Sequence, residues 1–414
     1  MQANQNDKKI HFGWWIVFSS FMLMFLYYAT GVGMFGLLVP SLMREFKVSA
    51  TVVLSIMSVG MAGNVIGSMF AGKMMMKHGL RKVWLICMLI CIGGFVVNYT
   101  AQSLQVIYVS QFVRGVFGSA TSMIPISILI NQWFGKRMRG KAMGIAVMGS
   151  GIGTMVLSPI TAYIIKNFGW RNGYLFFGAL AFACIPIAYP TFIISPRMKG
   201  LARVGDVPGE VEKEVALSGM TAGEALKSGV YWAAFISILM LAGTSQNWNS
   251  NGNAYLTMTL KFDPVAAASI MSITSIGVII GRPFFGAISD KWGNKVCMVT
   301  GGVILATGYV ILAVAANIRW TIFIGAAVTG LGMSLLNVLT PLITADLFGN
   351  RDFAAIVGYM QISQAIGVMV IPLGVSAVFD STGSYVMAWI GLAVVSLVCV
   401  AIGLLSYSLR QRRQ

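Results

Sequence analysis

The chain has 414 residues, 57% of them hydrophobic and only 10% charged, with a formal net charge of +17. A water-facing surface takes about a quarter charged residues, so a soluble globular class is excluded. The basic residues lie between apolar stretches, where they orient helices, so neither nucleic acid nor a resident cofactor is expected as a partner.

In chain order, the polar start MQANQNDKKIHF runs into Gly13-Trp14-Trp15 without a small-residue cleavage site, so the first span is expected to stay. Apolar runs long enough to cross a hydrocarbon core ~30 Å thick then predict twelve helices. They fall at 14–40, 51–73, 83–101, 104–131, 141–165, 173–195, 231–258, 264–288, 295–316, 319–345, 353–379 and 384–408. The stretch between spans 6 and 7 holds five basic and five acidic residues. It reads as a cytoplasmic linker (196–230), with a short interfacial helix at Thr221–Val230, between six-helix bundles at 1–195 and 231–414. The fold class is therefore all-α, a polytopic membrane protein.

With the N-terminus placed in the cytoplasm, the inside segments hold 21 of the 29 Lys and Arg and the outside segments six. That bias predicts a multi-pass cell-membrane protein (inner or plasma membrane) with both termini cytoplasmic. The halves also repeat. Gly72-Lys-Met-Met-Met-Lys-His-Gly79-Leu-Arg81-Lys82 follows span 2, and Gly286-Ala-Ile-Ser-Asp290-Lys291-Trp-Gly293-Asn-Lys295 follows span 8. Phe134-Gly-Lys-Arg137 and Phe348-Gly-Asn-Arg351 share the same 214-residue offset. Duplicated halves in one orientation imply a parallel repeat about the membrane normal. Gly72, Gly79, Arg81, Gly286, Asp290, Lys291 and Gly293 are expected to serve gating.

Two cations remain inside spans, Arg114 in span 4 and Arg282 in span 8, while none of the twelve acids lies well inside one. A central Arg costs ~2.5–3.5 kcal/mol on insertion scales and so faces a cavity or a partner. Without an acidic neighbour it suits an anion, and its planar fork suits a carboxylate. Arg282 has Ser68 as its repeat mate, so the fold itself does not require the charge, and it is the first choice for substrate binding. Snorkelling to the interface is its alternative. Arg114 is read first as structural, bonded to backbone carbonyls of a neighbouring helix, and second as an anion contact.

Span 7 carries LAGTSQNWNSNGNAYL, and span 1 carries the glycine-rich YYATGVGMFG. A broken helix at a cavity mouth is expected in span 7. Gln246 and Asn247, with Tyr28 and Gln364, are candidates for the rest of the substrate; Asn249, Asn337, Tyr359 and Gln361 are secondary. Gly144, Gly149, Gly151 and Gly153 read as close helix approach rather than a phosphate loop, since no strand precedes them. The five cysteines lie in apolar stretches without CxxC spacing and read as packing, so no metal site is expected. No intramembrane His, Asp or Glu set is present for chemistry, so the chain is not read as an enzyme.

Gly13-Trp14-Trp15, WFGKRMRGKAMGIAVMGSGIG entering span 5, GRPFFGAISDKWG ending span 8 and FDSTGSY before span 12 together resemble the major facilitator superfamily. Within it they resemble the monocarboxylate transporter and oxalate:formate antiporter group. The resemblance implies that Arg282 matches that group's carboxylate-binding arginine. It also implies that Gln364 stands where the oxalate:formate antiporters have a second cation, which favours a monocarboxylate over a small dicarboxylate. Val278, and Val32 or Gly33, stand where animal-type carriers have an acid and a lysine, so their proton coupling does not carry over. The first loop motif has Met76 in place of its aspartate, which Asp290 keeps in the second.

The expected function is secondary transport of a small organic monocarboxylate by alternating access, through anion exchange or proton-accompanied symport, by a chain functional as a monomer in lipid. The alternatives are an exporter of amphipathic compounds and a non-transporting organic-anion sensor.

Overall fold

A computed structural model describes residues 11–48, 50–193, 195–205, 219–262 and 264–411. Residues 206–218 of the linker lie outside the described residues, as does the side chain of Asn253. No named strand occurs among the described residues, as expected where hydrocarbon leaves the backbone to satisfy its own polar groups.

The first pass starts at Phe12, runs to Leu23, widens into π turns over Met24–Gly33 and continues as Phe35–Phe46. Spans 2 to 6 follow as Ala50–His78, Leu80–Thr100, Leu104–Trp133, Lys136–Phe168 and Trp170–Thr191. Span 7 is Gly229–Ala254 with a π turn at Tyr255–Thr259. The helical stretch Pro264–Val314 has 51 residues. At 1.5 Å per residue that is about 76 Å, more than twice a hydrocarbon core, so it must make two passes. Gly293 supplies the turn at φ 85°, as Gly79 does between spans 2 and 3 at φ 90°. Spans 10, 11 and 12 are Thr321–Phe348, Phe353–Thr382 and Tyr385–Gln411. The fourth helix of each half breaks at matching places, after Gly118 and at Ser334.

The expected break at Gly252 in span 7 is not there. Its amides pair along one continuous helix: Asn249 Nδ2 donates to Gln246 Oε1 (2.9 Å) and Asn251 Nδ2 to Asn247 Oδ1 (3.0 Å). Gly252 instead makes room for the Trp248 ring one turn earlier, where a Cβ would meet ring atoms at 2.9 Å. The interfacial helix is shorter than expected, Ala222–Leu226, with Thr221 and Glu224 forming a capping box.

Buried apolar side chains form two large clusters, one centred on spans 1–6 and one on spans 7–12. Val338, Leu342 and Ala354 belong by sequence to spans 10 and 11 but pack in the first cluster. They mark where the two meet, at the membrane face that carries the linker. Exposed apolar residues such as Phe70, Tyr163, Phe182, Met369 and Leu373 form the surface that lipid covers.

Two helix crossings make that junction. Span 5 lies on span 8: a Cβ on Gly140 or Gly144 would come closer than 3.0 Å to the carbonyl oxygens of Gly286 and Arg282. Span 2 lies on span 11 in the same way, Gly72 against the Ala354 carbonyl and Gly358 against the Ser68 carbonyl. Each residue of the first crossing has its counterpart 214 positions away in the second. Of the remaining span 5 glycines, Gly149 and Gly153 meet the carbonyls of Phe21 and Phe25 in span 1 and Gly151 meets the Ile279 side chain of span 8, so this stretch serves close approach.

Candidate functional site

Arg282 sits in span 8 directly before Pro283, whose ring lacks the N–H that would bond the Ile279 carbonyl one turn back. The guanidinium turns into the span 5 crossing and does not snorkel: the residue is 6% exposed. Its Nη1 donates to the Val147 carbonyl and to Ser150 Oγ (2.6 Å). Ser150 lies fourteen residues into span 5, about 21 Å along a helix of about 50 Å, so the site is near mid-membrane. Ile279 of span 8 packs beside Gly151, and Tyr28 of span 1 is near enough for its hydroxyl to interact electrostatically with the guanidinium.

On its other edge Arg282 is unsatisfied. Nε is buried and has no acceptor, and no described residue accepts from Nη2. No acidic side chain pairs with Arg282 among the described residues. A desolvated guanidinium with one edge anchored and the adjacent Nε/Nη2 pair open is built to take two parallel bonds from one planar anion. A carboxylate supplies those two oxygens and the charge.

Arg114 is also buried, at 8% exposure, but spends its contacts inside the first cluster. Nη1 donates to Gln111 Oε1 on its own helix (3.0 Å), and the guanidinium lies 3.6 Å from the Phe95 ring centroid. The expected bonds to neighbouring backbone carbonyls are replaced by that cation–π stack, which a desolvated arginine accepts.

The weaker candidates divide. Gln364 Nε2 donates to Thr340 Oγ1 (2.8 Å), tying span 11 to span 10. Gln361 Nε2 is buried without an acceptor, as is Asn247 Nδ2. Gln246 is half-buried and paired with Asn249, which is exposed; Asn337 and Tyr359 are half-buried, the latter with the Lys73 ammonium 5.6 Å from its ring. The structure brings Tyr28, Arg282 and span 5 together; the span 7 amides bond to one another within their own helix.

The loop-motif residues split into two kinds. Arg81 donates Nε to the Tyr189 carbonyl (2.8 Å) and Nη2 to the Pro190 carbonyl (3.1 Å), and Lys291 lies against the Trp292 ring, so these act within their own halves. Gly72, Gly286 and Asp290 act across the junction. Asp290 accepts from the Gly140 N–H (2.7 Å) and the Lys141 N–H (2.6 Å) in the first turn of span 5, where the helix dipole favours an anion. Burial nonetheless raises its carboxyl to about 6. Ser150 and Val147 were missed in the sequence. The clue was the register of Ser150 with the glycines of its own span.

A family model described as Major Facilitator Superfamily matches residues 21–248 and 234–414. A rat protein named Monocarboxylate transporter 13 is 23% identical over 383 residues, covering 91% of this chain and 85% of that one. An uncharacterized MFS-type transporter of Escherichia coli, YhjX, is 22% identical over 313 residues, covering 75% of this chain and 74% of its own. Among solved structures, the proton:xylose symporter XylE superposes with a TM-score of 0.74 at 14% identity over 94% of both chains. The human organic anion transporter MFSD10 superposes with a TM-score of 0.69 at 13% identity, covering 93% of this chain and 98% of that one. These likenesses in structure carry the fold alone. The chain therefore belongs to the major facilitator superfamily, as a multi-pass membrane transporter similar in sequence to proteins named monocarboxylate transporters.

Proposed function

We propose that this transporter carries a small organic monocarboxylate by alternating access, and that Arg282 neutralises the carboxylate. The observation that carries this reading is the buried guanidinium with an unsatisfied Nε edge and, among the described residues, no acidic partner. The names of the relatives, monocarboxylate transporters from several animals, agree with the charge class. In this reading Tyr28, within electrostatic reach of Arg282, contacts the remainder of the substrate, and Gln364, whose amide donates to Thr340 here, stands where a second cation would favour a dicarboxylate.

The halves 1–195 and 231–414 rock about the junction, with the linker face, assigned to the cytoplasm by its basic residues, closed here by the two crossings. Substrate then reaches Arg282 from the opposite face. No Asp, Glu or His sits deep in a span to take a proton. The coupling we propose is exchange of one anion for another, or symport in which a proton accompanies the carboxylate. The membrane potential, ~2.3 kcal/mol per charge per 100 mV, acts differently on the empty cationic site and the neutralised one.

Flux in proteoliposomes tests this. Pyruvate, lactate and benzoate are offered to the wild type, Arg282→Ala and Arg282→Lys. Transport of at least one by the wild type, lost in the alanine variant and little restored by lysine, supports the reading, because lysine lacks the bidentate fork. Wild-type flux in Arg282→Ala would refute it.

A further inference from the structure

Arg282 belongs to the second half, yet the acceptors that hold it, Val147 and Ser150, belong to the first. Ser150 Oγ also lies 3.1 Å from the Val147 carbonyl and donates to it. The single hydroxyl proton is thereby committed to the backbone, and the oxygen lone pairs face Arg282. The hydroxyl therefore acts as an acceptor here, aimed at one nitrogen of the fork.

The fold does not ask for this bond. Ser68, which replaces Arg282 in the other crossing, donates to the Asn64 carbonyl of its own helix (2.7 Å). Gln364, the counterpart of Ser150, donates to Thr340 within its own half. The helices of both crossings pack alike, but only one carries a guanidinium bonded across the junction.

We infer that Ser150 is the positioning residue of the anion site: by fixing Nη1 of Arg282 it presents the Nε/Nη2 edge to the carboxylate, and it does so only while spans 5 and 8 are packed together. A guanidinium on a flexible stem loses orientation when its anchor leaves, so carboxylate affinity falls as the linker-side junction opens. The same bond holds the unliganded junction closed. The inference rests on the proposed role of Arg282, and the following experiment separates the two.

The decisive variants are Ser150→Thr and Ser150→Val, which share one shape and differ only by the hydroxyl; Ser150→Ala accompanies them. With pyruvate, lactate and benzoate as probes in proteoliposomes, the transported probe should keep its KM within about twofold in Ser150→Thr. In Ser150→Val and Ser150→Ala the KM should rise about tenfold, the loss expected for one hydrogen bond to a charged group, while kcat changes less. A second readout needs no substrate. Val338 is fully buried at the junction, so Val338→Cys reports opening by its labelling with a maleimide, with the parent chain and its five buried cysteines as the blank. The valine variant should label several-fold faster than the threonine variant. Equal KM and equal labelling for threonine and valine would overturn the inference even if Arg282→Ala is inactive. Full transport by Arg282→Ala would instead remove the reading beneath it, while a labelling difference between threonine and valine would still stand for the closing role of Ser150.

Discussion

The two helix crossings at the junction are copies of each other in backbone and opposites in chemistry. Span 5 meets span 8 through Gly140, Gly144 and Gly286, and span 11 meets span 2 through Ala354, Gly358 and Gly72. In each, a residue without a long side chain lets a helix rest on the carbonyls of its neighbour, which is how helices pack where lipid is as apolar as leucine. One crossing then carries Arg282 on Val147 and Ser150, and the other carries Ser68 on its own helix. What recurs belongs to the fold; what differs is where we propose that the substrate binds.

The largest effect should come from making the crossings chemically alike. Arg282→Ser gives span 8 the residue its mate already has, and it should fold and pack normally. Its carboxylate flux should fall by about 30-fold or more, the loss of a desolvated charge contact. Retained flux would end the distinction between the two crossings. Next come substitutions that strike what they share. Gly144→Val and Gly358→Val each force a side chain onto a carbonyl, so both should slow transport roughly tenfold and to similar degrees. A large effect in only one would show that the crossings are not mechanically equivalent. Gln364→Lys adds a cation to the neutral crossing. It should shift preference toward a short dicarboxylate such as oxalate by about tenfold or less, read as competition against labelled monocarboxylate.

The smallest expected effect concerns Asp290, which has no acidic mate because Met76 stands in the first loop motif. Burial raises its carboxyl from 3.8 to about 6, against the pull of the Lys141 and Gly140 N–H groups. The folded protein therefore binds a proton more tightly than the unfolded chain between those values. Stability from this group is present in acid, falls as pH rises toward 6, and is level above it. Melting temperatures of the purified protein between pH 4 and 7 should show that slope, and Asp290→Asn should flatten it. An unchanged slope would assign it to another group.

The twelve passes were legible because hydrocarbon demands long apolar helices and the chain supplies them in register with its basic loops. Arg282 was legible because a charge in such a run needs a reason. The span 7 break was misread because Asn and Gly look disruptive in sequence, whereas amides at helical spacing satisfy one another, as Asn247 and Asn251 do. Arg114 was expected to find carbonyls and found Phe95, since an aromatic face on the preceding helix leaves no mark at position 114. Ser150 was hidden for a similar reason: its partner lies 132 residues further on, and only the crossing brings them together.

The central claim is that a carboxylate is held by Arg282, and the most direct measurement is thermal stability of the purified protein against a panel of short organic anions, run beside Arg282→Ala. A ligand that binds only the folded state raises stability with its concentration over Kd. The account expects at least one monocarboxylate to raise the melting temperature of the wild type in this way and to leave the variant unmoved. Equal shifts in both proteins, or shifts only with apolar cations, would contradict it and place the binding site elsewhere.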